Sequence, residues 1–252
     1  SIHNSIFAGT LFLVRAQYFS ISLMSVTFSF LCLIKAVSVF EIQRARDWFI
    51  SLNTLTFFNV TVGYHDIHIP AMSTFLLVRT QSIHFKMIHC NFHDMSQVMM
   101  IYGEIHDQFL DGTFLDVVVF DTCFCNITSH SSGAVALISL QKHNTPIVHA
   151  NISFSHCKFI NISSENSGGA IYISSAKMAA ITGTRTTFTV SDSVFNGTFA
   201  KHVGGSIYIE YNIHAFIFNC SFYFEKANIY IPEKGIFIYS KEKLSVKNST
   251  FY

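Results

Sequence analysis

Ile152–Ser174 reads ISFSHCKFINISSENSGGAIYIS. It opens with an alternating pair, Ile152 and Phe154, and then the phase slips by one. The alternation resumes at Cys157 and Phe159, followed by an Asn-Ile-Ser sequon at Asn161. A polar loop ends in Gly168-Gly169, and Ala170-Ile171-Tyr172-Ile173 reads as a further strand. Side chains alternate faces along a strand, so one slip marks a corner between two strands. The unit is strand, corner, strand, loop, strand, which is one coil of a solenoid.

The same spacing recurs along the chain. Copies read Ile21, Leu23, Val26, Phe28; Ile50, Leu52, Leu55, Phe57; and Phe85, Met87, Cys90, Phe92. Then come Val118, Phe120, Cys123, Cys125, followed by the opening stretch itself. After it stand Phe188, Val190, Ser193, Phe195 and Ala215, Ile217, Cys220, Phe222. Partial copies sit at Ile2, Ser5, Phe7 and at Leu244, Val246, Ser249, Phe251. Steps of 21 to 36 residues between anchors suit a solenoid whose corner loops differ in length. The expectation is an all-β, right-handed parallel β-helix of about eight coils, with 1–252 as a single domain. A Phe ladder interrupted by Cys125 and an inward column holding Cys90, Cys123 and Cys157 are expected inside. A β-sandwich explains the repeated phase less well.

Composition agrees. Half the chain is hydrophobic and 12% is charged, which excludes disorder. A net charge of +1 with no basic stripe excludes nucleic acid as a partner. Twenty-seven Phe beside many β-branched residues favour strands. Residues 17–34 carry no charge and approach the length of a membrane span. Their interleaved Ser20, Ser22, Ser25, Thr27 and Ser29 favour a buried strand pair over a transmembrane helix, so a membrane anchor ranks third among the readings. The chain begins without Met, which fits a mature form or a segment of a longer chain, so the lack of a leader says nothing about secretion.

Ile171-Tyr172-Ile173, Ile207-Tyr208-Ile209 and Ile229-Tyr230-Ile231 follow successive anchors. With the Ile residues inward, Tyr172, Tyr208 and Tyr230 form an expected outward column that offers a binding or assembly surface. Gly168-Gly169 and Gly204-Gly205 precede the first two, supplying positive φ where the loop turns back into a strand.

Ser167-Gly168-Gly169-Ala170-Ile171 resembles the GGAI repeat of chlamydial polymorphic outer-membrane proteins and, more broadly, right-handed parallel β-helix proteins of the pectin-lyase-like kind. Gly204-Gly205-Ser206-Ile207 is a near match and Ser132-Gly133-Ala134-Val135 a distant one. The family's Phe-x-x-Asn appears here as Phe159-x-Asn161 and Phe195-Asn196, a departure in spacing. The resemblance implies a cell-surface adhesin or passenger domain.

Sequons are the strongest chemical signal. Asn59, Asn126, Asn151, Asn161, Asn196, Asn219 and Asn248 all begin Asn-x-Ser/Thr. The excess points to N-glycans, a eukaryotic secretory route, and an extracellular or cell-surface location. Asn and Ser also suit solenoid corners, which accounts for part of it. Six Cys in that compartment raise the question of disulfides. Parallel stacked side chains fit the bridge dihedral poorly, so buried free thiols are preferred over a Cys90–Cys123 or Cys123–Cys157 bridge.

Metal and catalysis fare worse. His65, His68 and the trio His84, His89, His93 lack ligand spacing, so surface or corner histidines are preferred to a metal site. The acidic run Glu104, Asp107, Asp111, Asp116 and Asp121 has no paired carboxylates at matching phase and reads as a solvated loop. No catalytic residue, cofactor or metal is assigned. The leading expectation is a non-enzymatic structural or adhesive glycoprotein module. Its partners would be other copies of itself, flanking coils of a longer chain in a head-to-tail filament, or glycans. The alternative is a carbohydrate-active β-helix enzyme, a lyase or hydrolase on the same solenoid.

Overall fold

The computed structural model describes residues 2–8, 12–15, 18–34, 38–63, 74–103, 114–140, 149–175, 185–210, 213–223, 226–227, 236–239 and 244–251. All regular structure among them is strand, and all pairing is parallel. The strands stack as three ladders that form the walls of a β-solenoid. The first wall runs through Tyr18–Met24, Phe114–Phe120, His149–Ser155, Arg185–Ser191, Ile213–Phe218 and Leu244–Lys247. The second wall runs from Ile2–Ala8 through Cys123–Ser129 and Lys158–Ser164 to Thr250–Phe251. The third holds Gln97–Gly103, Ala136–Leu140, Ile171–Ser175 and Ile207–Glu210.

The long strands Ser38–Asn53 and Thr74–Ile88 each serve the third wall with their first half and the first wall with their second. The full strand-corner-strand-loop-strand unit therefore occurs in three consecutive turns, 114–140, 149–175 and 185–210, rather than the about eight expected. Among the described residues, these turns carry a glycine loop before their third-wall strand, at Gly133, Gly168-Gly169 and Gly204-Gly205.

The inward Phe column is the spine. Phe57, Phe92, Phe124, Phe159, Phe195, Phe222 and Phe251 stack at centroid spacings of 4.9, 5.5, 5.3, 4.3, 4.7 and 4.7 Å. The rings lie within 18° of parallel, and all but Phe251 are fully buried. Each buried ring contributes about 1.5–3 kcal/mol of burial, and each stacked pair adds about 0.5–1.5.

The ladder corrects two alignments. Phe124 pairs with Phe92 and Phe159, and Val117 with Phe85 and Ile152. The inward set of that turn is thus Val117, Val119, Thr122 and Phe124, one residue earlier than expected. Cys123 and Cys125 consequently lie on the outer face, and Phe124 closes the gap expected at Cys125. Val117-Val118-Val119-Phe120 is apolar at both phases, so alternation could not choose between them. Burying a Phe beside two Phe rings does. At the other end Ile2, not Phe7, pairs with Phe28. Residues 18–24 and 27–34 form strands, which removes the transmembrane-helix reading for that stretch; among the described residues no helix is long and apolar enough to cross a membrane.

The corner after the first wall uses one device at every level. Ser25, Thr54, His89, Asp121, His156, Asp192, Asn219 and Asn248 each take φ between 44° and 56°. From Ser25 to Asn219, each donates its N–H to a carbonyl one turn further along. The next residue points inward: Cys90, Thr122, Cys157, Ser193, Cys220 and Ser249 each donate S–H or O–H to the carbonyl two residues back. That keeps a polar atom in the core without leaving it unsatisfied. Thr122 separates Cys90 from Cys157 by two levels, about 9.6 Å, beyond disulfide reach. The cysteines Cys90, Cys123, Cys125, Cys157 and Cys220 are free. Burial pushes the Cys157 thiol up to about 12 and Cys220 to about 11.

Two outcomes follow. Phe124→Ala should cost about 3–5 kcal/mol in urea unfolding and Cys125→Ala less than about 1; the reverse order would restore the rejected alignment. The Cys157 folded value lies above its unfolded one, so its contribution is complete below about pH 9 and is lost as pH rises towards 12. Unfolding midpoints should fall over that window, and less steeply in Cys157→Ser.

Candidate functional site

The outer surface carries the polar residues singled out by sequence, and most of them turn out to be rungs. The second wall contains its own left-handed column of Asp94, Asn126, Asn161 and Gly197, with φ of 51°, 52°, 52° and 69°. Asn161 Nδ2 donates to Asn126 Oδ1 at 3.2 Å, and Asn126 Nδ2 to Asp94 Oδ1 at 2.9 Å. Gly197 ends the ladder, because a Cβ there would stand 2.9 Å from Asn161 Oδ1. Asn and Asp tolerate left-handed φ, and their short side chains reach one level but no further.

The other sequons divide in the same way. Asn151 donates to Asp116 at 3.1 Å and Asn219 to Asp192 at 3.0 Å, both from exposed positions. Asn248 is exposed in a left-handed corner, and Asn196 is half-buried at the end of Val194–Asn196. Asn59 lies in Thr56–Gly63, with its side chain outside the described residues. The repeat itself generates part of the sequon signal. In the second-wall ladder a left-handed Asn is followed by buried Ile127 or Ile162, then by outward Thr128 or Ser163.

The acidic residues are occupied likewise. Asp121 Oδ2 lies 2.8 Å from His89 Nδ1, Asp116 Oδ2 3.7 Å from His84 Nδ1, and Glu165 Oε1 2.9 Å from His130 Nδ1. His84 also stacks on Phe49 at 4.6 Å and meets Phe114 at 4.9 Å with the rings tilted by 40°. Glu104, Asp107, Asp111, His65 and His68 lie outside the described residues. Among the described residues, no three or more His, Cys, Asp or Glu side chains form a metal-holding group.

The tyrosine column is shorter than expected. Tyr172 and Tyr208 stack at 5.0 Å and 3° on the outer face of the third wall. The next partner of Tyr208 is Phe237, not Tyr230, which lies outside the described residues. Tyr172 Oη donates to Glu210 Oε2 at 3.1 Å; burial first, then the Glu210 charge, pushes its phenol well above the usual range. Tyr102 and Tyr172 also pack against Met100 and Leu137, which are buried although they face outward. The pair is thus half-buried and seated in an apolar strip.

Sequence reading missed Gln97. This buried side chain donates from Nε2 to the Ser132 and Gly133 carbonyls at 3.0 and 2.9 Å. Its Oε1 accepts from Ser129 and Ser131. It caps the column of glycine loops at the turn that lacks such a loop. Within that column Gly169 admits no side chain, since a Cβ would lie 1.9 Å from the Gly205 carbonyl. No protein family, curated protein or solved structure matches this chain.

Asn126→Ala removes two rungs and puts a Cβ-bearing residue at φ 52° without a compensating amide. It should lower stability by about 1–2 kcal/mol in chemical denaturation, with Asn126→Gly recovering the backbone share.

Proposed function

We propose that the protein is a non-enzymatic structural or adhesive module of an extracellular glycoprotein, built as a rigid β-solenoid. One observation carries the reading. The carboxylates of Asp94, Asp116, Asp121 and Asp192 each engage an Asn or His one turn away. Groups suited to acid–base work are thereby spent on holding levels together. An enzyme needs such groups converging on a substrate, with one of them open to exchange protons.

The glycoprotein part rests on sequon placement. Asn126, Asn151, Asn161, Asn219 and Asn248 are exposed, so glycans on them would project from the walls and not into the core. They would cover a surface that is poor in charge. The adhesive part rests on the resemblance of Gly168-Gly169-Ala170-Ile171 to the chlamydial surface repeat. In this protein that tetrapeptide forms the tight entry into the third wall. The Tyr172–Tyr208 pair is the contact surface proposed for a glycan or a second protein.

Expression through a eukaryotic secretory route should give an intact mass that falls on peptide-N-glycosidase treatment, with Asn converted to Asp at several of the seven sequons. A mass unchanged by the enzyme overturns the glycoprotein reading. Tyr172→Ser with Tyr208→Ser should reduce binding to cell-surface glycan arrays while leaving the fold intact by circular dichroism; undiminished binding removes that pair from the proposal.

A further inference from the structure

The one-residue correction at Phe124 has a chemical consequence. Cys123 and Cys125 flank a fully buried Phe and therefore share the outer face of one strand. Both are free and half-exposed, whereas Cys90, Cys157 and Cys220 are buried and donate to backbone carbonyls. Residues two apart on a strand stand about 6.6 Å from each other. That is at the far limit for a disulfide, whose Cα atoms sit most often about 5.5–6 Å apart. Rotamers that turn both sulfurs into that gap leave room for one atom between them.

We propose that Cys123 and Cys125 form a site for a soft, two-coordinate cation of the Cu(I) class, bound by both thiolates. Soft thiolate ligands select such cations over hard ones. Two ligands suffice for linear coordination, so the site needs no third converging side chain. The register surrounds the pair with suitable neighbours. Lys158 is the cross-strand partner of Cys123 and His93 that of Cys125. A monovalent cation on two thiolates carries one net negative charge, which the Lys158 ammonium offsets.

Burial raises both thiols above their ordinary value; the Cys125 charge adds to this at Cys123, and Asp94 at Cys125, while Lys158 acts the other way on Cys123. Both therefore stay protonated at neutral pH until a cation displaces the protons. Binding breaks two S–H bonds, forms two S–Cu bonds and releases two protons to solvent, with no change of oxidation state.

The test is an anaerobic Cu(I) titration of the whole protein against a chromophoric Cu(I) chelator. One equivalent should be withdrawn from the chelator by the wild type and none by Cys123→Ser/Cys125→Ser. Because both positions face outward, an unchanged melting curve verifies that the variant is folded. In parallel, native-state alkylation mapped by mass spectrometry should label Cys123 and Cys125 ahead of Cys157. Cu(I) should slow labelling of the two outer thiols by about tenfold or more. No retained equivalent, equal binding by the double variant, or unprotected labelling of the pair overturns the proposal. The result does not depend on whether the sequons carry glycans.

Discussion

Everything in this molecule depends on parallel stacking of like upon like at the spacing of a β-ladder. A parallel strand pair places residues of successive turns directly over each other, so each column must be filled by side chains that tolerate their own kind about 4.8 Å away. Flat Phe rings meet that demand inside, with six near-parallel contacts from Phe57 to Phe251. Amides meet it outside, because an Asn can donate to the level below and accept from the level above. Like charges do not meet it. The acidic rungs Asp94, Asp116, Asp121, Glu165 and Asp192 sit against His or Asn, and Glu210 accepts from the Tyr172 hydroxyl.

The backbone imposes a second condition. Turning from the first wall into the second, or from the polar loop into the third, without breaking the ladder takes one residue in the left-handed region. The chain supplies Asp, Asn, His, Ser or Thr there, and glycine where a Cβ would strike a carbonyl. An inward Cys, Ser or Thr then returns a hydrogen to the strand just left. This coupling of a left-handed polar residue to a small inward donor explains why Cys, Ser and Thr interchange from Cys90 to Ser249, while Val26 and Leu55 fill the same column by packing alone.

These constraints change the meaning of the surface chemistry. An excess of Asn-x-Ser/Thr looks like a glycosylation signal, yet the second-wall ladder produces the same three-residue pattern for mechanical reasons at Asn126 and Asn161. The two readings are compatible, since an exposed rung amide has a second hydrogen. The tyrosine pair is similarly double-faced. It stacks for the same reason the Phe rings do, while Met100 and Leu137 beside it are buried on what would otherwise be an outer face.

From the sequence alone came the all-β class, the repeat, the parallel stacking, the Phe ladder and the phase of most copies. These follow from alternation and spacing, which are local properties of the chain. Tertiary structure decided the rest. At Val117–Phe120 both faces are apolar, so local pattern was silent, and only the rings of Phe92 and Phe159 selected Phe124 as the inward residue. That choice turned Cys123 and Cys125 outward. The pairing of Tyr208 with Phe237, the role of Gln97, and the fusion of walls along Ser38–Asn53 and Thr74–Ile88 were equally hidden. Each is set by what lies one turn away, and a separation of some thirty residues in sequence carries no local trace of it.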